Sequence, residues 1–453
     1  MKYEIFAVAL LVGVPLLALA AVAWPQARGW LLTLLVVSTA LGDEASINFV
    51  SMESYRGPDR GFEVTLTDLV ALALAAALVV RHPRRLVWWP YNTAWMVGLF
   101  LVGCFTALLA SDPLLSTFTL VKMVRLYVVY WCVVNCLQAG VGRLHIWRGL
   151  AGIGLLLTVL TIQQKYLQGV MRVTGPFDHS NTVPSFLMLV IPLLLVWALC
   201  DRDLSLRQVG VSLLSVLGML LAIVSTLSRA GMGLAILGVL GGLFVANVMG
   251  RTRRAWFISL GIGLILLAGA AKAADTVLER FRDAPEASAT ARREFNRSAA
   301  LMLERYPLGV GLNNFSRVLT AEPDLRAHFV AMVNEDPAGV VHHIYWLMLA
   351  ETGHLGLALF LIVQVRFAWV ALREGVRGRT LEALLLLGLF IGFAATAAVG
   401  LLEWTLRISP VAYLYMVSAG VVAAWGHRCR VLRPAPLVVR RAASVPMVVA
   451  EAA

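Results

Sequence analysis

"ALLLLGLFIGFAATAAVGLL" occupies residues 383–402 and contains no charged side chain. At 1.5 Å per helical residue it spans the roughly 30 Å hydrocarbon core of a bilayer. A second run of this kind covers Ala255–Ala271. Over all 453 residues the chain is 60% hydrophobic and 14% charged, with a mean hydropathy of +0.80. That composition excludes an ordinary soluble domain. The period-two alternation of a membrane barrel is missing, so the fold class is an all-α polytopic membrane protein.

Further apolar runs fall near 64–80, 93–110, 117–137, 148–165, 182–200, 208–226, 231–249, 341–365 and 409–425, preceded by two at 5–23 and 29–42. The start of the chain could be a signal peptide, but more apolar runs follow at once, so it reads as a retained first helix. About twelve spans are expected, with the N-terminal orientation open. The net charge of +12 sits in short basic connections such as "RHPRR" (81–85) and "GRTRR" (250–254). This is the pattern of cytoplasmic loops, not of a nucleic-acid surface, and it places the C-terminus in the cytoplasm. The expected organisation is 1–273 spans with short loops, 274–340 one large outer loop, 341–426 the last spans and 427–453 a tail. Five cysteines, none in that loop, predict neither a disulfide nor a metal cluster.

Chemistry-bearing residues gather at the outer boundary. In the long loop, "ATARREFNRSAALMLERYPLGVG" (289–311) predicts an amphipathic helix stopped by Pro307. Phe295, Ala299, Met302 and Tyr306 share one face; Arg293 and Arg297 fall opposite, and Arg292 lies at the edge of the apolar face. A partly buried Arg292 needs an anion, either a ligand or a glutamate. In "STLSRAGMG" (225–233), Arg229 is placed between two spans, where it either serves a site or snorkels to headgroups. Lys122 and Arg125 share a helix face and point to an anion site, or else lie at the interface. The loop "QQKYLQGVMRVTGPFDHSN" (163–181) adds Arg172, with Asp178 as a ligand group or a helix cap.

"VVHHIYWLMLAETGHLG" (340–356) puts two histidines at the water end of a helix. His342 and His343 diverge by about 100°, which does not suit a shared metal. One imidazole there suits general-base work. Glu351 lies some two and a half turns deeper and reads as a structural group.

Taken in order, "RVTGPFDHSN", "STLSRAG", "ARREFNRSAALMLERYPLGVGLNNF" and "HHIYWLMLAETGHLG" resemble the O-antigen ligase superfamily, over roughly residues 165–360. That group holds O-antigen ligases, O-antigen polymerases and protein O-oligosaccharyltransferases. The resemblance implies catalytic places for Arg229, Arg292 and His342. His343 stands where the family usually has Asn, and Arg293 competes with Arg292 for the second arginine's place. It also implies transfer of a polysaccharide from undecaprenyl pyrophosphate to a lipid A core acceptor. The reaction would occur at the periplasmic face of the bacterial inner membrane, without cofactor or metal and with inversion. Lys122, Arg125, Arg172, Arg293 and His343 are candidate substrate-binding groups. The alternatives are a polymerase, a protein oligosaccharyltransferase and, from another class, a lipid or anion transporter.

Overall fold

The computed structural model describes residues 2–264, 286–329 and 339–431. Within the described residues each apolar run forms a helix, as the hydropathy requires. The order is α1 (Lys2–Ala23), α2 (Pro25–Ser38), a hairpin of β1 (Ser46–Phe49) and β2 (Phe62–Thr65), then α3 (Leu66–Arg81), α4 (Thr93–Leu108) and α5 (Pro113–Gln138). Next come α6 (Leu144–Leu167), α7 (Thr182–Cys200), α8 (Leu206–Ser225), α9 (Arg229–Gly250) and a helix α10 described over 253–264. The last are α11 (Glu286–Arg305), α12 (Phe315–Ala321), α13 (Ile344–Arg377), α14 (Leu381–Val399) and α15 (Ser409–Val431).

Local chemistry sets the boundaries. Thr65 and Asp68 form a capping box at the start of α3, and Ser205 and Gln208 do the same for α8. Asp112 caps α5 with Pro113 at its first position. Among the described residues nine helices are long and apolar enough to cross a membrane. The expectation of about twelve meets three short helices, α2, α3 and α4, of 14, 16 and 16 residues. These reach only about 21–24 Å. The expected all-α class needs one addition: β1 and β2 pair antiparallel, with Ser46 opposite Thr65 and Phe49 opposite Phe62. Of the expected large loop, 274–285 and 330–338 lie outside the described residues, as do 265–273 of the run before it and the tail from 432.

Two cores carry the packing. The larger surrounds α7, whose span is wholly buried against α8, α9 and α14. Trp197 of α7 meets Trp425 of α15 edge-on at 5.7 Å between ring centroids. Burying an aromatic pair adds about 0.5–1.5 kcal/mol beyond its area. The smaller core lies at the loop end of the bundle. Phe295, Ala299 and Met302 of α11 and Phe315 and Leu319 of α12 pack with Val341, Ile344 and Leu347 at the head of α13. The apolar face expected for α11 is therefore the face that is buried.

α13 is not one straight helix. Gly353 has φ 64° and ψ −171°, which breaks it after nine residues. The break frees carbonyls, and the turn after Pro307 takes them: Val310 N–H donates to Ala350 O and Gly311 N–H to Glu351 O, both at 2.9 Å. Gly309 (φ 93°) lets the two backbones meet, since a Cβ there would stand 2.5 Å from Glu351 O. A Cβ on Gly353 would stand 2.8 Å from Pro307 O. "PLGVG" and "ETG" are thus two halves of one joint, and the joint fixes the 286–329 segment over the start of α13.

Candidate functional site

The turn between α14 and α15 (400–408) organises the loop end. Its Glu403 carboxylate receives three elements at once. His342 Nδ1 lies 3.0 Å from Oε2. Arg292 Nη2 of α11 lies 3.5 Å from Oε1, and Asn181 Nδ2 donates to the same oxygen at 2.7 Å. Asn181 in turn accepts from Arg172 Nη2 at 2.9 Å, and Arg172 Nε donates to Thr226 O at 2.9 Å. Arg229, the first residue of α9, follows three positions later, beyond the Ser228 cap. The structure therefore gathers His342, Arg292 and Arg172 around one carboxylate, with the Arg229 end of α9 tied to it through Thr226.

Exposure separates the roles. Glu403 is 12% exposed, whereas Arg292 and His342 are 37% and 40% exposed. The carboxylate is held inside, and the imidazole and guanidinium face the open side. Burial alone would raise the Glu403 pKa. The hydrogen bond and charge of His342, then Arg292 and Asn181, outweigh it and hold the carboxyl below its usual range. An ionised Glu403 accepts the Nδ1 proton of His342, which directs the other ring nitrogen, Nε2, away from Glu403.

His343 does something else. Its Nδ1 accepts from Trp346 N–H at 3.3 Å, so it caps α13. Burial holds its pKa below the usual histidine value, which suits an accepting ring nitrogen. Arg293 is exposed and donates to Thr290 Oγ1 at 3.0 Å. Asp178 is exposed and does not cap the next helix; Asn181 occupies the N-cap position with no side-chain cap bond.

Lys122 and Arg125 belong to a different set of contacts. Lys122 is buried, 2.8 Å from Asp59 Oδ1, and donates to Arg407 O at 2.5 Å. Arg407 bridges Glu351 at 2.5 Å and Asp59 at 3.2 Å. Burial would raise the Asp59 pKa, but Lys122 and Arg407 bring it well below the carboxylate range. Arg125 pairs with Asp68 at 2.7 Å and Glu63 at 3.7 Å. Both candidate cations thus spend their charge on internal carboxylates, outside the Glu403 cluster. Glu351 is fully buried against Arg407 and plays the structural part expected of it.

Beside the 400–408 turn an apolar cavity of about 440 Å³ runs between α4, α5, α13 and α15. Phe100, Met123, Tyr127, Phe360 and Met416 line it, and Arg407 stands at its loop end.

Glu403 was missed in the sequence. The only signal is a lone acid closing the apolar run of α14, at the outer boundary where the other polar groups collect. Residues 214–361 match a family model described as O-antigen ligase. The match takes in Arg229, Arg292, Arg293, His342 and His343 and stops short of Glu403. No curated protein matches the chain.

Proposed function

We propose that this chain is a member of the O-antigen ligase and polymerase superfamily, whose model matches residues 214–361, and that it transfers polysaccharide from undecaprenyl pyrophosphate to a hydroxyl of the lipid A core. The observation that carries this reading is the Glu403 carboxylate holding both His342 Nδ1 and Arg292. A base fixed by a buried carboxylate, next to a partly exposed guanidinium, is what deprotonating a hydroxyl beside a phosphate requires.

His342 Nε2 takes the proton of the acceptor hydroxyl as its oxygen attacks the anomeric carbon. The bond from that carbon to the phosphate oxygen breaks, and the pyrophosphate leaves with the electron pair. Arg292, with Arg172 and Arg229 behind it, meets the growing negative charge through planar, permanently protonated forks. Attack from the face opposite the leaving group inverts the anomeric centre. The nearby apolar cavity offers room for a hydrocarbon chain of a lipid substrate. In this reading the protein lies in the bacterial inner membrane with the Glu403 cluster facing the periplasm and the C-terminus in the cytoplasm.

The test is transfer in detergent with chelator, using purified protein, polyprenyl-pyrophosphate-linked glycan and lipid A core. Glycan appearing on lipid A core, and lost in His342→Ala, supports the ligase. Lengthening of the donor's own glycan instead would make the protein a polymerase. Donor binding with no transfer would favour a transporter, and activity that needs an added metal would remove the metal-independent mechanism.

A further inference from the structure

At the end of the bundle away from Glu403, a buried arginine has no acidic partner among the described residues. α3 begins at the β hairpin and runs 16 residues, about 24 Å, to His82. There Arg28 of α2 is only 8% exposed. Its Nη1 reaches His82 Nε2 at 2.5 Å, and its Nε–H is buried with no partner. A guanidinium offers five N–H donors, and a histidine satisfies one. A buried charge left so is expensive unless an anion completes it.

The surroundings add further positive charge. Burial, then Arg28, Arg81 and Arg85, hold the pKa of His82 below its usual value, so those three guanidiniums lie close to it. His145 sits against Gly29, the next residue to Arg28, with its Nδ1 3.2 Å from Thr33 Oγ1. Arg148 lies over the Trp30 ring, 4.7 Å from its centroid. Asp201, Asp203 and Glu382 are taken by Arg143 at 3.0–3.8 Å. Among the described residues no carboxylate pairs with Arg28, Arg81, Arg85 or Arg148. Trp24, Trp30, Trp88 and Trp89 are all more than half exposed at this end. Exposed tryptophans of this kind mark headgroup depth.

We propose that Arg28, flanked by Arg81, Arg85 and Arg148, binds a phosphate group at this face, carried by a phospholipid headgroup or free in solution. The guanidinium fork matches phosphate oxygens, and the ring of outer arginines draws the anion in. This site is separate from the Glu403 cluster and does not rest on the transfer reaction.

Unfolding midpoints of the detergent-purified protein, read against probe concentration, test it. The probes are dioctanoyl phosphatidylglycerol, dioctanoylglycerol with the same chains and no phosphate, and inorganic phosphate. Phosphatidylglycerol should stabilise and dioctanoylglycerol should not. Equal stabilisation by inorganic phosphate identifies the free ion as a ligand; stabilisation by the lipid alone identifies the headgroup. Arg28→Gln should weaken the apparent affinity on the order of tenfold, while Arg202→Gln, an exposed cation at the same end, should leave it unchanged. If Arg28→Gln does not fold, Arg85→Gln combined with Arg148→Gln should still weaken it severalfold. Equal stabilisation by dioctanoylglycerol, or an undiminished response in Arg28→Gln or in the double variant, would overturn the proposal.

Discussion

Two charge clusters share the turn between α14 and α15, and they are built on opposite principles. Around Arg407, two cations meet two carboxylates: Lys122 and Arg407 with Asp59 and Glu351, all under 10% exposed. Around Glu403, one carboxylate serves His342, Arg292 and, through Asn181, Arg172, and the cationic side is open. The first cluster is closed and balanced, so it can only hold α5, α13 and the hairpin loop together. The second has more positive groups than its acid can satisfy, so it retains capacity for an anion from outside. Within four residues the chain passes from one kind of cluster to the other.

The largest effect should come from breaking the balanced cluster. Arg407→Ala leaves Asp59 and Glu351 buried without their bridge and should cost about 3–5 kcal/mol of stability, read as a lower unfolding midpoint and poor recovery from the membrane. His342→Ala should do the reverse. Its unfolding midpoint should stay near wild type while transfer falls on the order of 10²–10⁴-fold. Arg292→Ala should lower transfer by about 10²–10³; a variant that loses stability in place of activity would merge the two clusters into one structural unit.

Gly353→Ala should cost about 1–3 kcal/mol, because the left-handed backbone and the contact with Pro307 both resist a Cβ. The smallest effect belongs to exposed Arg293. Arg293→Ala should change stability by no more than about 0.5 kcal/mol and leave transfer intact, and a large loss of transfer would reopen the choice between it and Arg292.

Acid should test the Glu403 cluster as well. Glu403 has a depressed pKa in the folded protein, so its contribution is present above the ordinary carboxylate range and is lost as pH falls through the folded value. Asp59 is likewise held down, by Lys122 and Arg407, so its own ion pairs should persist below the ordinary carboxylate range. Unfolding midpoints of wild type and Glu403→Gln, compared between pH 7 and 3, should converge only at the acid end.

What the sequence disclosed follows from locality. Helix positions were legible because apolar length and capping residues are local properties. The orientation of Arg292 was legible because 100° per residue places it beside Phe295 and Ala299 with no knowledge of the partner. The partner was not legible. Glu403 lies 61 residues from His342 and farther still from Arg292, and a single acid ending an apolar run carries no spacing pattern. Lys122 and Arg125 show the same limit from the other side. An intramembrane cation does point to an anion, but here the anions are Asp59, Asp68 and Glu63, from the hairpin segment and the first turn of α3. Their pairing depends on where that segment folds back.

The joint between the turn after Pro307 and the break at Gly353 limits how this protein can be recombined. The loop segment supplies the donors that make the broken helix tolerable, and the helix supplies the gap that receives the loop. A chimera that exchanges 286–329 alone would pair each half with a stranger. Exchange should succeed only when the crossover points fall outside both halves, so that residues 286–356 travel as one heritable module.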